Sequence, residues 1–485
     1  MDLTTFQEES LSQDSIHGYI AFSSPRNRIP NELYTERDII DSPWVQRLRQ
    51  IHQLQTAWIV YPTAEHTRFQ HVLGAMHLAS VVWNHLKPSF FKVFEEKPEL
   101  TGGIPLPSSE YIESTLRLAA LLHDVGHGPF GHFFDEHFLR RHQLEDGTPL
   151  NHEILGGEII LHRLGEIIRG IRRNPGGTIR DNEVLSPEEI AFLIVRPRKD
   201  DTADRPFWLR LLRTLFSGLY TVDNMDFVLR DAYMSGFNER AFDLERLLHY
   251  SFFTEHGLTL HQKGLSTLTR FLNVRAELFR AVYFHHKVRA IDLLLADLFI
   301  KSKDLFYPQG NPLNSMDEYL LFTEWTLFTD VSRWGRSSDP EKEALAGDWT
   351  NFLHRKTPWQ VFAEKTFLYR PSSRISSSIF SDPALFEAAI RGKLPPELAG
   401  IELRFDICKH THRPDAHNPA GRQNFLYLPA LDRVTALESE ELYSAIPQSF
   451  RICRIFGTDR KYQKEVVAAL EKLSGTGGSD DLTNM

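Results

Sequence analysis

The sequence predicts a mainly α protein with a smaller C-terminal α+β lobe, and three observations carry that expectation. Apolar residues recur at helical spacing through the first 300 positions, as at His71, Ala75, Leu78, Ala79 and Val82 on one stripe. Strand-like alternation is confined to the last third, at 401–407 and 450–456. A chain of 485 residues exceeds one ordinary domain, so more than one lobe is expected. The division read from the pattern is a 1–60 N-terminal extension packed on the core, a 61–304 helical domain, a 305–473 α+β lobe and a 474–485 disordered tail.

The totals exclude several function classes. A formal net charge of -9 gives no general attraction to nucleic acid or an acidic membrane, although Arg172-Arg173 and 196–199 are local basic runs. Two cysteines, Cys408 and Cys453, make neither a disulfide framework nor a thiolate metal cluster. No signal-peptide pattern opens the chain and no apolar run is long enough to span a bilayer, so a cytoplasmic protein is expected.

Taken in order, 44–54 places Val45, Leu48, Ile51 and Leu54 near helical spacing, and 58–61 before Pro62 reads as a short extended piece. The amphipathic helix through His71 is followed by a Gly/Pro loop at 97–109. An apolar helical run (Leu116, Ala119, Ala120, Leu122) then delivers His123-Asp124, and Gly126 and Gly128 are expected to end that helix by taking positive φ. Asn151 is a cap for a helix beginning at His152-Glu153. Stretches 174–186 and 196–206 read as polar loops. Trp208 resumes a helical period in which Leu212, Phe216, Leu219 and Asp223 are spaced 4, 3 and 4. A long helix is expected over 266–302, and a closing helix over 464–473.

Chemistry concentrates at a few points of this frame. His71, His123, Asp124 and Asp223 are potential metal ligands on helices or helix ends, and a buried carboxylate such as Asp124 needs a partner or a cation. Mixed imidazole and carboxylate donors suit Mn, Fe, Ni, Zn or Mg. Singly, His71 also suits a core histidine and Asp223 a surface charge; together with an intact His-Asp pair they favour a metal site. Arg68 shares a helix face with His71, so its guanidinium is placed either to pair with a phosphate beside the metal or to make a salt bridge. His127 and His152, with Glu153 beside the latter, are candidates for proton transfer. His132 and Asp135 are placed to form a further imidazole–carboxylate pair.

His71, then His123-Asp124, then Asp223, in this order, resembles the HD superfamily of metal-dependent phosphohydrolases. The segments His66-Thr67-Arg68-Phe69-Gln70-His71, His123 through His132, and Asp223 through Asp231 are similar to the deoxynucleoside triphosphate triphosphohydrolases, the SAM-and-HD-domain enzyme and its bacterial relatives. Asp41 to Arg49 and Tyr283-Phe284-His285 share the likeness, which covers roughly residues 14 to 300.

The resemblance implies an HD-domain helical bundle over 61–304 and hydrolysis of a (deoxy)nucleoside triphosphate to nucleoside and inorganic triphosphate. It also implies a divalent ion, with Mg possible on the substrate phosphates, a nucleotide substrate and a homo-oligomer. By the same resemblance His132 faces the α-phosphate, and His152 with Glu153 forms a catalytic dyad. Arg275, Tyr283 and His285 fall at positions contacting triphosphate and sugar, Asp231 and Asp243 at positions near the sugar and phosphates, and Gln53-Leu54 at its edge. Helical phase puts His286, eleven residues on, on the face of Arg275 better than His285. Two family features are missing: Asn224 stands where a basic residue is usual, and Phe227 where Tyr is usual. Asp41, Gln46 and Arg49 match the family's regulatory nucleotide site, but the lysine expected near Ser10 is absent, so activation by GTP or dGTP does not carry over. The alternatives are another nucleotide phosphate ester as substrate, or a non-catalytic nucleotide-binding scaffold.

Overall fold

The computed structural model describes residues 9–25, 29–196, 204–369, 379–398, 400–412, 424–437 and 440–474. The fold is mainly α with small sheets. The chain divides into two compact units. One comprises 1–271, 303–331 and 422–437, the other 272–302, 332–421 and 438–485. Of the expected tail at 474–485, Ser474 ends a helix and 475–485 lie outside the described residues.

The first unit opens with an antiparallel hairpin, β1 (Glu9–Asp14) and β2 (Gly18–Ser23). Five helices then carry the chemistry: α1 (Arg68–Glu96), α2 (Ser109–Leu122), α3 (His132–His137), α4 (His152–His162) and α5 (Val222–Met234). Their starts are written locally. Thr67 and Gln70 form a capping box on α1, and the side chains of Ser108, Asn151 and Thr221 accept backbone N–H bonds at the starts of α2, α4 and α5. Apolar faces of α1, α2 and α5 meet in a core that includes Leu78, Trp83, Leu118 and Val228, each fully buried. A four-stranded sheet in the same unit pairs Gly257–His261 in parallel with Asn424–Leu428.

In the second unit Ser449–Gly457 lies between Gln360–Tyr369 and Leu403–Thr411, antiparallel to both. Helices Pro383–Arg391 and Gln463–Ser474 pack on this sheet over a core of Phe386, Ile390, Ile455, Val466 and Leu470. The alternation at 450–456 reads as a half-buried strand, but as the central strand it is buried at every position. Its two arginines are paired: Arg454 with Glu364 at 2.5 Å, and Arg451 with the Phe380 carbonyl.

Four expectations are corrected. Residues 57–59 form a 3-10 turn, not an extended piece. The 4, 3, 4 spacing from Leu212 to Asp223 spans two helices, Phe207–Arg213 and α5, separated by the Thr221 cap. The long helix over 266–302 breaks: Leu265–Leu278 runs into a π segment, Phe279–Tyr283, and a new helix starts at His286. Wider π turns shift helical phase, so the straight-helix argument relating Arg275 to His286 does not hold. Finally, α2 ends at Leu122 with neither Gly126 nor Gly128 at positive φ. These glycines serve close approach: a Cβ on Gly126 would collide with the His152 carbonyl and the Gly156 N–H of α4, and one on Gly128 with the Phe134 ring.

Candidate metal centre and active site

Three helices deliver the first group of donors. His71 lies on the first turn of α1, His123 is the C-cap of α2, and Asp223 lies in the first turn of α5. His71 Nε2 is 3.2 Å from His123 Nε2 and 3.1 Å from Asp223 Oδ1, and His123 Nε2 is 3.6 Å from that oxygen. Atoms bound to one ion at about 2.1 Å lie roughly 3.0–3.4 Å apart, so the spacing is that of a shared coordination sphere. The tautomers agree. His71 Nδ1 donates to Asp226 Oδ2 at 2.7 Å and His123 Nδ1 to the Ala120 carbonyl at 2.8 Å. With Nδ1 tied outward, each ring turns its Nε2 toward the other and toward a carboxylate, so that a cation can stand where a proton otherwise would.

Asp124 borders this trio. Its Oδ1 is 3.4 Å from His123 Nε2, while Oδ2 accepts from Arg68 Nη1 at 2.5 Å. Despite burial, His123 and Arg68 hold the Asp124 carboxyl well below the usual range. Burial presses the His71 imidazole down, but Asp223 and Asp226 outweigh it and raise it to about 10. A divalent ion would occupy the place of that proton. Among the described residues, His71, His123 and Asp223 form one group able to hold a metal ion, and His127, His132, Asp135 and His152 form another.

The second group is built differently. A turn with positive φ at Phe130 and Gly131 folds α3 back so that His132 and Asp135 face His127. Asp135 Oδ2 takes a short hydrogen bond from His152 Nδ1 and lies 3.5 Å from His132 Nδ1 and 3.9 Å from His127 Nδ1. The His127 and His152 rings are stacked at 3.7 Å with planes 16° apart. An ion binds in the plane of an imidazole, and two stacked planes share no such point. This cluster suits proton transfer. Although burial opposes it, Asp135 raises the His152 imidazole, while burial, Arg68 and His152 hold His127 well below its ordinary value. Asp135, lowered by His152 and His127 against its burial, stays ionised. Both His127 ring nitrogens are buried without hydrogen-bond partners.

The other expected positions fall as follows. Glu153 does not pair with His152; its carboxylate receives the Arg196 backbone N–H at 3.3 Å, and Asp135 takes its place in the pair. Arg68 is buried, and its Nε has no hydrogen-bond partner. Leu54 is buried and Gln53 keeps a buried oxygen without a partner. Asp231 accepts from His66 Nε2 at 2.7 Å, and Asp243 caps Leu244–His249. Arg275, Tyr283 and His285 belong to the second unit, where Arg275 donates to the His412 carbonyl at 3.1 Å. Asn224 Nδ2 donates to the Thr221 hydroxyl at 2.7 Å and so reinforces a helix cap. Asp41 and Arg49, with Ser10, Ser12, Arg37 and Phe69, line a cavity of about 500 Å³. The basic run Arg172-Arg173 is no surface for nucleic acid: both side chains are buried and bonded, Arg173 to Glu32 and Arg172 to two carbonyls. Residues 197–199 of the other run lie outside the described residues.

Sequence reasoning missed Asp226, which fixes the His71 tautomer, and Glu324. The buried Glu324 accepts from His52 Nδ1 at 2.5 Å and from the Phe130 N–H at 3.0 Å, clamping the turn before His132. Asp226 and Arg230, spaced i and i+4 on the buried face of α5, were a signal for the first.

Residues 68–194 match the family model described as HD domain. The chain carries an HD domain. Relatives extend the likeness beyond it. The uncharacterized protein YwfO of Bacillus subtilis is 28% identical, over 84% of this chain and 82% of its own length. The deoxynucleoside triphosphate triphosphohydrolase SAMHD1 of Bos taurus is 25% identical over 92% of this chain and 75% of its own, and that of Homo sapiens is 26% identical over 92% and 70%. A solved structure of a hypothetical protein from Aquifex aeolicus covers 96% of this chain and all of its own at a TM-score of 0.64 and 22% identity, a likeness of fold. With its HD domain at 68–194, the chain is an enzyme similar over most of its length to the deoxynucleoside triphosphate triphosphohydrolases. No helix among the described residues is long and apolar enough to cross a membrane.

Proposed function

We propose that this HD phosphohydrolase converts a (deoxy)nucleoside triphosphate to nucleoside and inorganic triphosphate by attack of water at the α-phosphorus. The observation that carries this reading is the convergence of donor atoms from His71, His123 and Asp223, with Asp124 beside them, next to a separate imidazole–carboxylate cluster. His71, His123, Asp124 and Asp223 would hold a divalent ion (Mn, Fe, Ni, Zn or Mg), which would supply a water of lowered pKa and polarisation of a phosphoryl oxygen. The chain supplies the rest. Arg68, one guanidinium edge on Asp124, offers its remaining N–H groups to a phosphate. His132, the exposed member of its cluster, gives a proton to the 5′-oxygen as the bond from that oxygen to phosphorus breaks, and the Asp135–His152 pair restores it. Gln53, Leu54, Asp231 and Asp243, in the same unit as the centre, are assigned to sugar and triphosphate. The proposal includes assembly into a homo-oligomer, read by light scattering.

A second reading, hydrolysis of another nucleotide phosphate ester or binding without turnover, is favoured by Asn224 and Phe227. Asn224 is spent on the Thr221 cap and brings no cation to a triphosphate. One assay decides. The protein is incubated with each dNTP and NTP plus Mn²⁺, Mg²⁺ or Fe²⁺, and the products are separated by chromatography. Nucleoside with inorganic triphosphate is expected; orthophosphate or a monophosphate rejects the first reading, and no turnover favours the scaffold.

A further inference from the structure

The metal ligand His71 is tied to a part of the chain that contributes no ligand. Its Nδ1 donates to Asp226 Oδ2 at 2.7 Å, and Asp226 is fully buried. An ionised carboxylate only accepts, and every other contact Asp226 makes here comes from a donor. Arg230 spans both oxygens, Nε on Oδ2 at 2.9 Å and Nη2 on Oδ1 at 3.0 Å. The remaining contact comes from the N-terminal hairpin, where His17 Nε2 is 2.6 Å from Oδ1. Arg230 also reaches that hairpin, with Nη1 2.7 Å from Asp14 Oδ2. Asp14 shapes the turn that aims His17, because its Oδ1 accepts the backbone N–H groups of Ile16 and His17, each at 2.9 Å. All five side chains are nine-tenths or more buried.

An independent feature shows that the fold makes room for this relay. Gly74 lies one turn after His71 on α1, and a Cβ there would collide with Arg230 Nη2 and Asp226 Oδ1. The bare backbone lets the pair lie against α1 directly behind the ligand.

We propose that Asp226, held by Arg230, Asp14 and His17, is a positioning residue that keeps His71 oriented with Nε2 as its coordinating atom, so that the N-terminal hairpin sets the affinity of the centre for its metal. This rests on the metal-centre reading above. The hairpin joins a residue 209 positions away to the carboxylate behind His71, and loosening it frees the imidazole to rotate or change tautomer. Partners of this kind typically alter metal affinity about 10–100-fold when lost.

The test is titration of the metal-free protein with Mn²⁺ by calorimetry, with thermal melting of the same samples. His17→Ala removes the hairpin's donor and is expected to weaken Mn²⁺ binding at least tenfold while the melting transition persists. His17→Gln, which restores an N–H donor, is expected to recover most of that loss, a rescue that a space-filling role for His17 would not give. Arg230→Lys keeps the buried charge but not the fork, and serves if His17→Ala does not fold: weakened Mn²⁺ binding supports the relay. Mn²⁺ binding by His17→Ala or a folded Arg230→Lys as tight as that of the unaltered protein overturns this inference alone. Absence of binding by the unaltered protein to Mn²⁺, Fe²⁺, Ni²⁺, Zn²⁺ and Mg²⁺ alike overturns the metal-centre reading, and this inference with it.

Discussion

Two histidine clusters lie side by side in the first unit, made of the same residue types and aimed in opposite ways. In His71, His123 and Asp223 the outer ring nitrogens are anchored to Asp226 and a carbonyl, so the inner lone pairs converge. In His127, His132 and His152 the Nδ1 atoms instead gather around one oxygen of Asp135, with two rings stacked. The first arrangement brings three donor atoms within reach of one cation. The second sets ring nitrogens around a single acceptor, Asp135, and leaves the two stacked rings no common plane for an ion. What separates a ligand set from a proton relay is thus where the second nitrogen of each ring is tied.

The largest expected effect breaks the first cluster only. Asp124→Ala removes a donor and the partner of the buried Arg68, and is expected to abolish both bound transition metal and turnover. Elemental analysis and product chromatography check this, and metal retained at the level of the unaltered protein would refute the assignment. His152→Asn should do the converse. Metal content stays, while kcat falls about 10²–10⁴-fold, the usual worth of a positioned acid–base group. Loss of metal in this variant would merge the two clusters into one.

The contrast explains what the sequence could disclose. The helix caps were legible because they are local: Asn151 caps α4 as its position before His152-Glu153 suggests. The carboxylate serving His152 was not. Glu153 is its neighbour in sequence, but a side chain in the first turn of a helix points away from the adjacent one, and Asp135, 17 residues earlier, is brought in by the turn at Phe130 and Gly131. The strands β1 and β2, with the polar sequence ESLSQD in the first, carry no apolar alternation, so neither the hairpin nor its hold on Asp226 could be read. The π segment at Phe279–Tyr283 was likewise invisible to a count that assumes 3.6 residues per turn.

Acidity offers a finer division. The folded His152 is raised above an ordinary histidine value near 6.5, so its contribution to stability is complete below that pH and is lost as pH rises through the raised value. Asp135 is lowered, so its contribution is present above about 3.8 and is lost only as pH falls through its lowered value. The pair is therefore intact from mildly acidic pH to beyond 6.5. The kcat profile is expected to hold its alkaline limb above pH 6.5. In Asp135→Asn, with the carboxylate gone and burial left to act, that limb should move to lower pH. A limb that stays in place assigns it to a group outside this cluster.

The smallest effect expected comes from a single methyl group. Gly126 lies between the HD pair and α4, and an added Cβ meets backbone, the His152 carbonyl and the Gly156 N–H, which cannot swing aside as a side chain would. Gly126→Ala must displace the start of α4, at a cost of about 1–3 kcal/mol for forced overpacking. Because α4 carries His152 and none of the proposed metal ligands, the strain should fall on one cluster. The melting temperature should drop by several degrees and kcat several-fold, with Mn²⁺ affinity unchanged. Gly128→Ala, which meets only the Phe134 ring, should be milder, since a ring can tilt. Should Gly126→Ala weaken Mn²⁺ binding as much as it slows turnover, the two clusters do not act independently.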